Sequence, residues 1–242
     1  MDNPYASSYA NPYTVAAQPV DVRAEFIRKT YLHLAGAVAA FALLEAFLLS
    51  IPPVENAVFS LLGASRFSWL IVLGIFMVTS SLADKWARSA TNLTTQYIGL
   101  GVGVLAWAIV FLPILLVAKN MTGDTTLITK AGGVTALLFA GLTFVAFTTK
   151  KDFSFLGGFL KIGGFIALGV IVVAIIFPSF ITLGFWFSVI MVLFAAGAVL
   201  YSTSNIIHHY NTNQYVAASL GLFASVALMF WYILRIFMAR DE

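Results

Sequence analysis

FAAGAVLYSTSNIIHHYNTNQYVAASLGLFASVALMFWYILRIFM, residues 194–238, is two apolar runs joined by a polar connection from Ser204-Asn205 to Asn213-Gln214. Neither run alternates apolar with polar residues as a strand would. The second, and the first once extended back to residue 180, have the roughly 20 residues that cross a hydrocarbon layer of about 30 Å as a helix. In lipid only a helix or a closed barrel satisfies its own backbone, so the stretch reads as a helical hairpin in a membrane. Two serines, Ser202 and Ser225, sit inside the runs. Ala217, Gly221 and Ser225 recur every fourth position, and Ala198 and Ser202 repeat that interval in the first run. Small residues at this spacing line one helix face and let backbones approach closely. Packed through these stripes, the two helices bring both hydroxyls to one interface.

The rest of the chain has the same character. Of its 242 residues 61% are hydrophobic and 10% charged, where soluble domains carry about 25% charged residues. Seven runs qualify as spans: 32–51, 67–83, 96–118, 130–149, 155–177, 180–201 and 215–238. The expectation is an all-α membrane protein, a seven-transmembrane helix bundle over 23–242. Residues 1–22, with Asn-Pro-Tyr at 3–5 and 11–13, read as a disordered tail lacking aliphatic residues to bury. The absence of cysteine excludes disulfides and thiolate metal sites. Basic residues are scattered between spans, which argues against nucleic acid and for membrane orientation. Seven fall on the side of the N-terminus, including Arg28-Lys29 and Lys150-Lys151, against five on the other. That bias predicts a cytoplasmic N-terminus.

Few residues in the spans carry chemistry. Glu45 lies inside the first, where a carboxyl is costly and faces a cavity or a partner. Lys161, one turn into the fifth, is a candidate charge partner for it, or snorkels to the surface. Pro113 interrupts the third span, frees a backbone carbonyl and makes a second candidate for an ion pathway. His208-His209 lacks companions at metal-ligand spacing and reads as a solvated or headgroup-facing pair. Glycines crowd the third, fourth and fifth spans, as close helix contact requires. No phosphate loop, nucleophile elbow or His-Glu-x-x-His occurs. The reading is therefore a non-enzyme with no cofactor and no metal centre.

Thr149-Lys150-Lys151-Asp152-Phe153-Ser154, followed by Phe155-Leu156, resembles the segment between spans four and five of the transmembrane Bax-inhibitor-motif family. Arg28-Lys29-Thr30-Tyr31, Phe111-Leu112-Pro113 and the closing Tyr232-Ile233-Leu234-Arg235 are similar to that family in the same order. The resemblance covers nearly everything after the tail and includes the bacterial YccA-like branch. It implies the Bax-inhibitor type of bundle, with the last helix near the centre, in a bacterial inner membrane. It further implies one of two roles. The first is a regulatory or interaction protein in membrane quality control or stress response, partnered by a membrane-bound ATP-dependent protease. The second is a leak pathway for calcium ions, gated in some members by protons on two aspartates.

Those aspartates follow the tyrosine that closes span six and precede the closing arginine by ten residues. Here the two positions hold Ser202, after Tyr201, and Ser225, before Arg235. Two close carboxylates cannot both ionise cheaply, so one is held protonated toward neutrality and the pair senses pH. Hydroxyls do not titrate there, and they are weak ligands for calcium. The expectation is a chain without the family's di-aspartate proton switch. Any ion flux through the purified protein in liposomes should be nearly flat between about pH 6 and pH 8, the window in which a coupled carboxylate pair titrates; a steep transition there contradicts it.

Overall fold

Helix boundaries follow local chemistry. The Asn92 side chain accepts the Thr95 N–H at 3.2 Å and starts one helix. Pro52 opens another at its first position, where a missing N–H costs nothing. Gly123, at φ 74°, closes a third in the left-handed conformation that glycine adopts freely. The computed structural model describes residues 13–65, 67–89, 92–149, 151–180 and 182–241.

Among the described residues the elements are α1 (Val20–Leu48), α2 (Pro52–Ala64), α3 (Ser68–Ala87), α4 (Leu93–Thr122), α5 (Thr126–Thr149), α6 (Leu156–Ile176), α7 (Phe185–His208) and α8 (Tyr215–Asp241). Seven are long and apolar enough to cross a membrane, as expected. The addition is α2, whose 13 residues bury no side chain and link the first two spans at one end of the bundle.

α8 sits at the centre, packed against α1, α3, α4, α5 and α7. Of its apolar stretch 67% is buried, against 6% for α6, which packs mainly on α7 at the periphery. A helix buried on every face is apolar all round, and α8 meets that with Val216, Leu222, Met229 and Leu234 all fully enclosed. Phe111 of α4 ties three helices together. Its ring stacks on Phe230 at 5.5 Å and meets Trp231 edge-on at 5.0 Å, both on α8, and takes Phe41 of α1 edge-on at 5.2 Å. Such pairs add about 0.5–1.5 kcal/mol each beyond their burial.

Two expectations need correction. Residues 1–12 of the supposed tail lie outside the described residues, but 13–19 are docked. The Val15 side chain is fully buried, its N–H donates to the Tyr210 carbonyl at 2.9 Å, and Thr14 bridges to Asn211. The buried Val15 side chain and these backbone bonds together hold the segment onto the α7–α8 connection. The glycines divide. Gly99, Gly103, Gly157 and Gly163 face close neighbours, whereas Gly101, Gly132, Gly133, Gly141 and Gly169 open onto free space. For those five, helix contact within one chain is not the reason.

Gly99 gives the sharpest test. A Cβ there would meet the backbone of α3, 2.6 Å from the Ala83 carbonyl oxygen and closer still to the Ala87 nitrogen. Backbone cannot step aside, so Gly99→Ala should destabilise by about 1–3 kcal/mol in thermal unfolding in detergent. Gly101→Ala, one turn face away and open, should be neutral or stabilising by about 0.5–1 kcal/mol.

Candidate functional site

Ser202 and Ser225 meet. α7 and α8 run antiparallel through their small residues, and the two Oγ atoms are 2.9 Å apart. Ser225 is 7% exposed and its hydroxyl donates to the Gly221 carbonyl of its own helix at 3.0 Å. A hydroxyl has one proton, so Ser202 supplies the proton of the bond between them. The pair is neutral, closed and satisfied, a cross-link between the two helices rather than an open ligand set. Beside it Gly221 leaves room for Tyr210, whose hydroxyl would lie 3.3 Å from a Cβ at that position.

The loop between α5 and α6 docks onto the end of α7. Ser204, fully buried, accepts the Phe153 N–H at 2.8 Å and donates to Asp152 at 3.3 Å. Asp152 accepts the Ser154 N–H at 2.9 Å and lies 3.0 Å from His209 Nε2. Burial works against the charged Asp152 carboxyl, but the Ser154 donors and His209 outweigh it and hold its pKa below the ordinary value. Lys151 is exposed, and Lys150 lies outside the described residues. Of the two histidines, His209 is exposed and His208 half-buried. His209 reaches Asp152 across 57 residues of sequence, and His208 Nε2 is buried without a hydrogen-bond partner. Sequence reasoning missed this tie because neither end signals the other locally.

The connection between α7 and α8 is braced from two more sides. The Arg88 guanidinium, paired with Asp84 at 2.8 Å, lies over the Tyr210 ring. The Gln96 side chain donates to the Ser89 and Asn213 carbonyls at 2.7 and 3.3 Å. Burial pushes the Tyr210 phenol up, against the pull of Arg88.

Glu45 is 4% exposed, and both of its carboxyl oxygens are buried without a hydrogen-bond partner. Lys161 stands exposed on α6, and among the described residues no ion pair joins it to Glu45. Pro113 lines a cleft of about 360 Å³ with Trp69, Ser188, Trp231 and Arg235. Glu45 does not line that cleft. A guanidinium beside Pro113 has the wrong sign to draw in a cation. The two residues considered for an ion pathway are thus not brought to one cavity.

A family model described as inhibitor of apoptosis-promoting Bax1 matches residues 23–242. An uncharacterized protein of Pseudomonas aeruginosa is 34% identical over 165 residues, 68% of this chain and 69% of its own. The modulator of FtsH protease YccA of Escherichia coli is 40% identical over 121 residues, which cover 49% of this chain and 54% of that protein. Bax inhibitor 1 of Schizosaccharomyces pombe is 27% identical over 97% of this chain and 84% of its own.

Removing the Ser204 hydroxyl orphans the Phe153 N–H, so Ser204→Ala should cost about 1–2 kcal/mol in thermal unfolding. His209→Ala, at an exposed pair, should cost less than about 1 kcal/mol. Because the folded Asp152 pKa is depressed, its contribution exists above the unfolded value and is lost as pH falls through the folded one. The melting-temperature gap between the parent and Asp152→Asn should hold steady above about pH 5 and close below about pH 4.

Proposed function

The chain belongs to the Bax inhibitor family, and on that premise we propose that it is a regulatory protein of the bacterial inner membrane, acting by contact with a membrane-bound ATP-dependent protease. The observation that carries this reading is the closed hydroxyl pair. The resemblance implies two proton-sensing aspartates at the positions of Ser202 and Ser225, and here those side chains satisfy each other at 2.9 Å. Such a pair neither titrates near neutrality nor offers carboxylate oxygen to calcium. The scaffold is kept and the gate is not, which favours a role carried by surfaces. The similarity to a modulator of FtsH protease supplies the class of partner. With a cytoplasmic N-terminus, the docked Val15 and the Asp152–His209 tie lie together on the cytoplasmic face, open to such a partner.

A second reading, a pH-insensitive calcium leak, rests on Glu45. A buried carboxyl without a partner is costly and marks functional positions in membranes. It has no shared cavity with Pro113 to support it.

Two experiments separate the readings. Crosslinking and purification of the full chain should retain an ATP-dependent membrane protease, and removal of residues 1–12 should weaken that retention. Recovery of no membrane protease in either form sinks the regulatory reading. In liposomes, Ser202→Asp with Ser225→Asp should gain an acid-sensitive calcium flux that the parent lacks. A parent that already conducts calcium, and loses flux in Glu45→Gln, supports the leak instead.

A further inference from the structure

Gly36 on α1 and Gly101 on α4 share a property that helix contact does not explain. A Cβ at either position would meet no neighbour within 4 Å. Both border the same space, a groove of about 530 Å³ between α1 and α4. Leu32 and Leu105 on its two lips are 63% and 52% exposed, so it opens outward, where lipid surrounds the bundle. Residues four apart share a helix face. Leu32, Gly36, Ala40 and Leu44 therefore form one wall, and Tyr97, Gly101 and Leu105 form the other. Side chains at the two glycines would fill the groove from both walls.

One end of the groove is polar. His33 donates from Nδ1 to the Lys29 carbonyl at 2.7 Å, and its Nε2 bonds the Tyr97 hydroxyl at 2.9 Å, which ties α1 to α4 where the groove begins. The α1 faces that carry Leu32 and His33 continue one turn back into Arg28 and Lys29, both exposed. Lys29 pairs with Glu25 at 2.7 Å, while Arg28 forms no ion pair among the described residues. The first turns of α1 hold Arg23, Arg28 and Lys29 against Asp21 and Glu25, so the rim is net positive. Below it the walls are apolar down to Leu44.

We propose that this groove binds one anionic phospholipid, with the phosphate on Arg28 and one acyl chain lying between Gly36 and Gly101. Length favours this occupant. From Leu32 to Leu44 the groove runs about 18 Å at 1.5 Å per residue, close to one leaflet of a hydrocarbon layer about 30 Å thick. A partner helix would need an open face across both leaflets. Charge favours it too, because a guanidinium bonds phosphate through paired donors, and basic residues at a span end attract anionic headgroups. Tyrosine at headgroup level suits the same position.

Native mass spectrometry of the full chain, released from detergent holding equal amounts of phosphatidylglycerol and phosphatidylethanolamine, reads the occupant. One phosphatidylglycerol should be retained at least about fivefold over phosphatidylethanolamine, the preference that one basic residue contributes near a membrane surface. Arg28→Gln should remove most of that preference. Gly36→Leu with Gly101→Leu should lose the lipid, whereas Gly141→Leu, equally open but on α5, should keep it. Equal retention of the two lipids, or retention that survives the filled groove, overturns the proposal. A dimer in the parent that the filled groove abolishes makes the occupant a second copy, and overturns it equally. Phosphatidylglycerol with a photoreactive acyl chain, crosslinked to the unaltered chain in nanodiscs, tests the same site without any substitution. Adducts should concentrate in residues 32–44 and 97–105, and an even spread over the lipid-facing helices refutes the site.

Discussion

A helix enclosed by five others has neither water nor lipid headgroups to satisfy what it carries, so each polar atom must find its partner in the bundle. α8 is in that position and its sequence obeys the constraint. Ser219 bonds back to the Val216 carbonyl at 2.7 Å, and Ser225 bonds back to Gly221 while accepting from Ser202. The second of these dictates a neighbour. α7 must lie against α8 in one register, because a slip of one turn would part the Ser202 hydroxyl from its acceptor on Ser225. The remaining helices then arrange themselves around that pair, α4 through Phe111 and α1 through Phe41.

Much of this was legible in the sequence, for a physical reason. Spans announce themselves by length and apolarity, and interval-four small residues such as Ala217, Gly221 and Ser225 announce the face that packs. Long-range pairing between unlike partners does not announce itself. Asp152 and His209 are each ordinary polar residues near a span end, and only the fold puts one 3.0 Å from the other. α2 was missed because Pro52-Pro53 reads as a break and 13 residues are too few for a span. Val15 was missed because burial of one side chain leaves no periodic trace. The glycines misled in part, since the pattern that marks a packed face also occurs where Gly101 and Gly132 meet nothing.

Charge in this molecule is kept to the ends. Glu25–Lys29 and Asp84–Arg88 are exposed pairs one turn apart on their helices, worth little individually in stability. At the end carrying α2, Lys119 reaches the Leu49 carbonyl at 2.8 Å and Asn120 reaches Glu55 at 2.9 Å. Between these zones the buried side chains among the described residues are apolar or neutral hydroxyls that mostly bond backbone carbonyls, and Glu45 is the ionisable group among them. A core of this kind gives a rigid platform whose specific chemistry is displayed on its two faces. That distribution suits a protein read by its neighbours.

The centrality of α8 also bears on biogenesis. It leaves the ribosome after α1 to α7, yet it is the one around which the others pack. Until it inserts, α1, α4, α5 and α7 have no common core to close upon, and Ser202 has no partner across the seam. The core shared by α1, α4, α5 and α7 therefore closes only once α8 is in place, whereas α3 and α4 already pack extensively on each other without it. A chain halted before residue 215 would leave helices with exposed small-residue faces in the bilayer, the kind of unfinished surface on which membrane proteins misassociate.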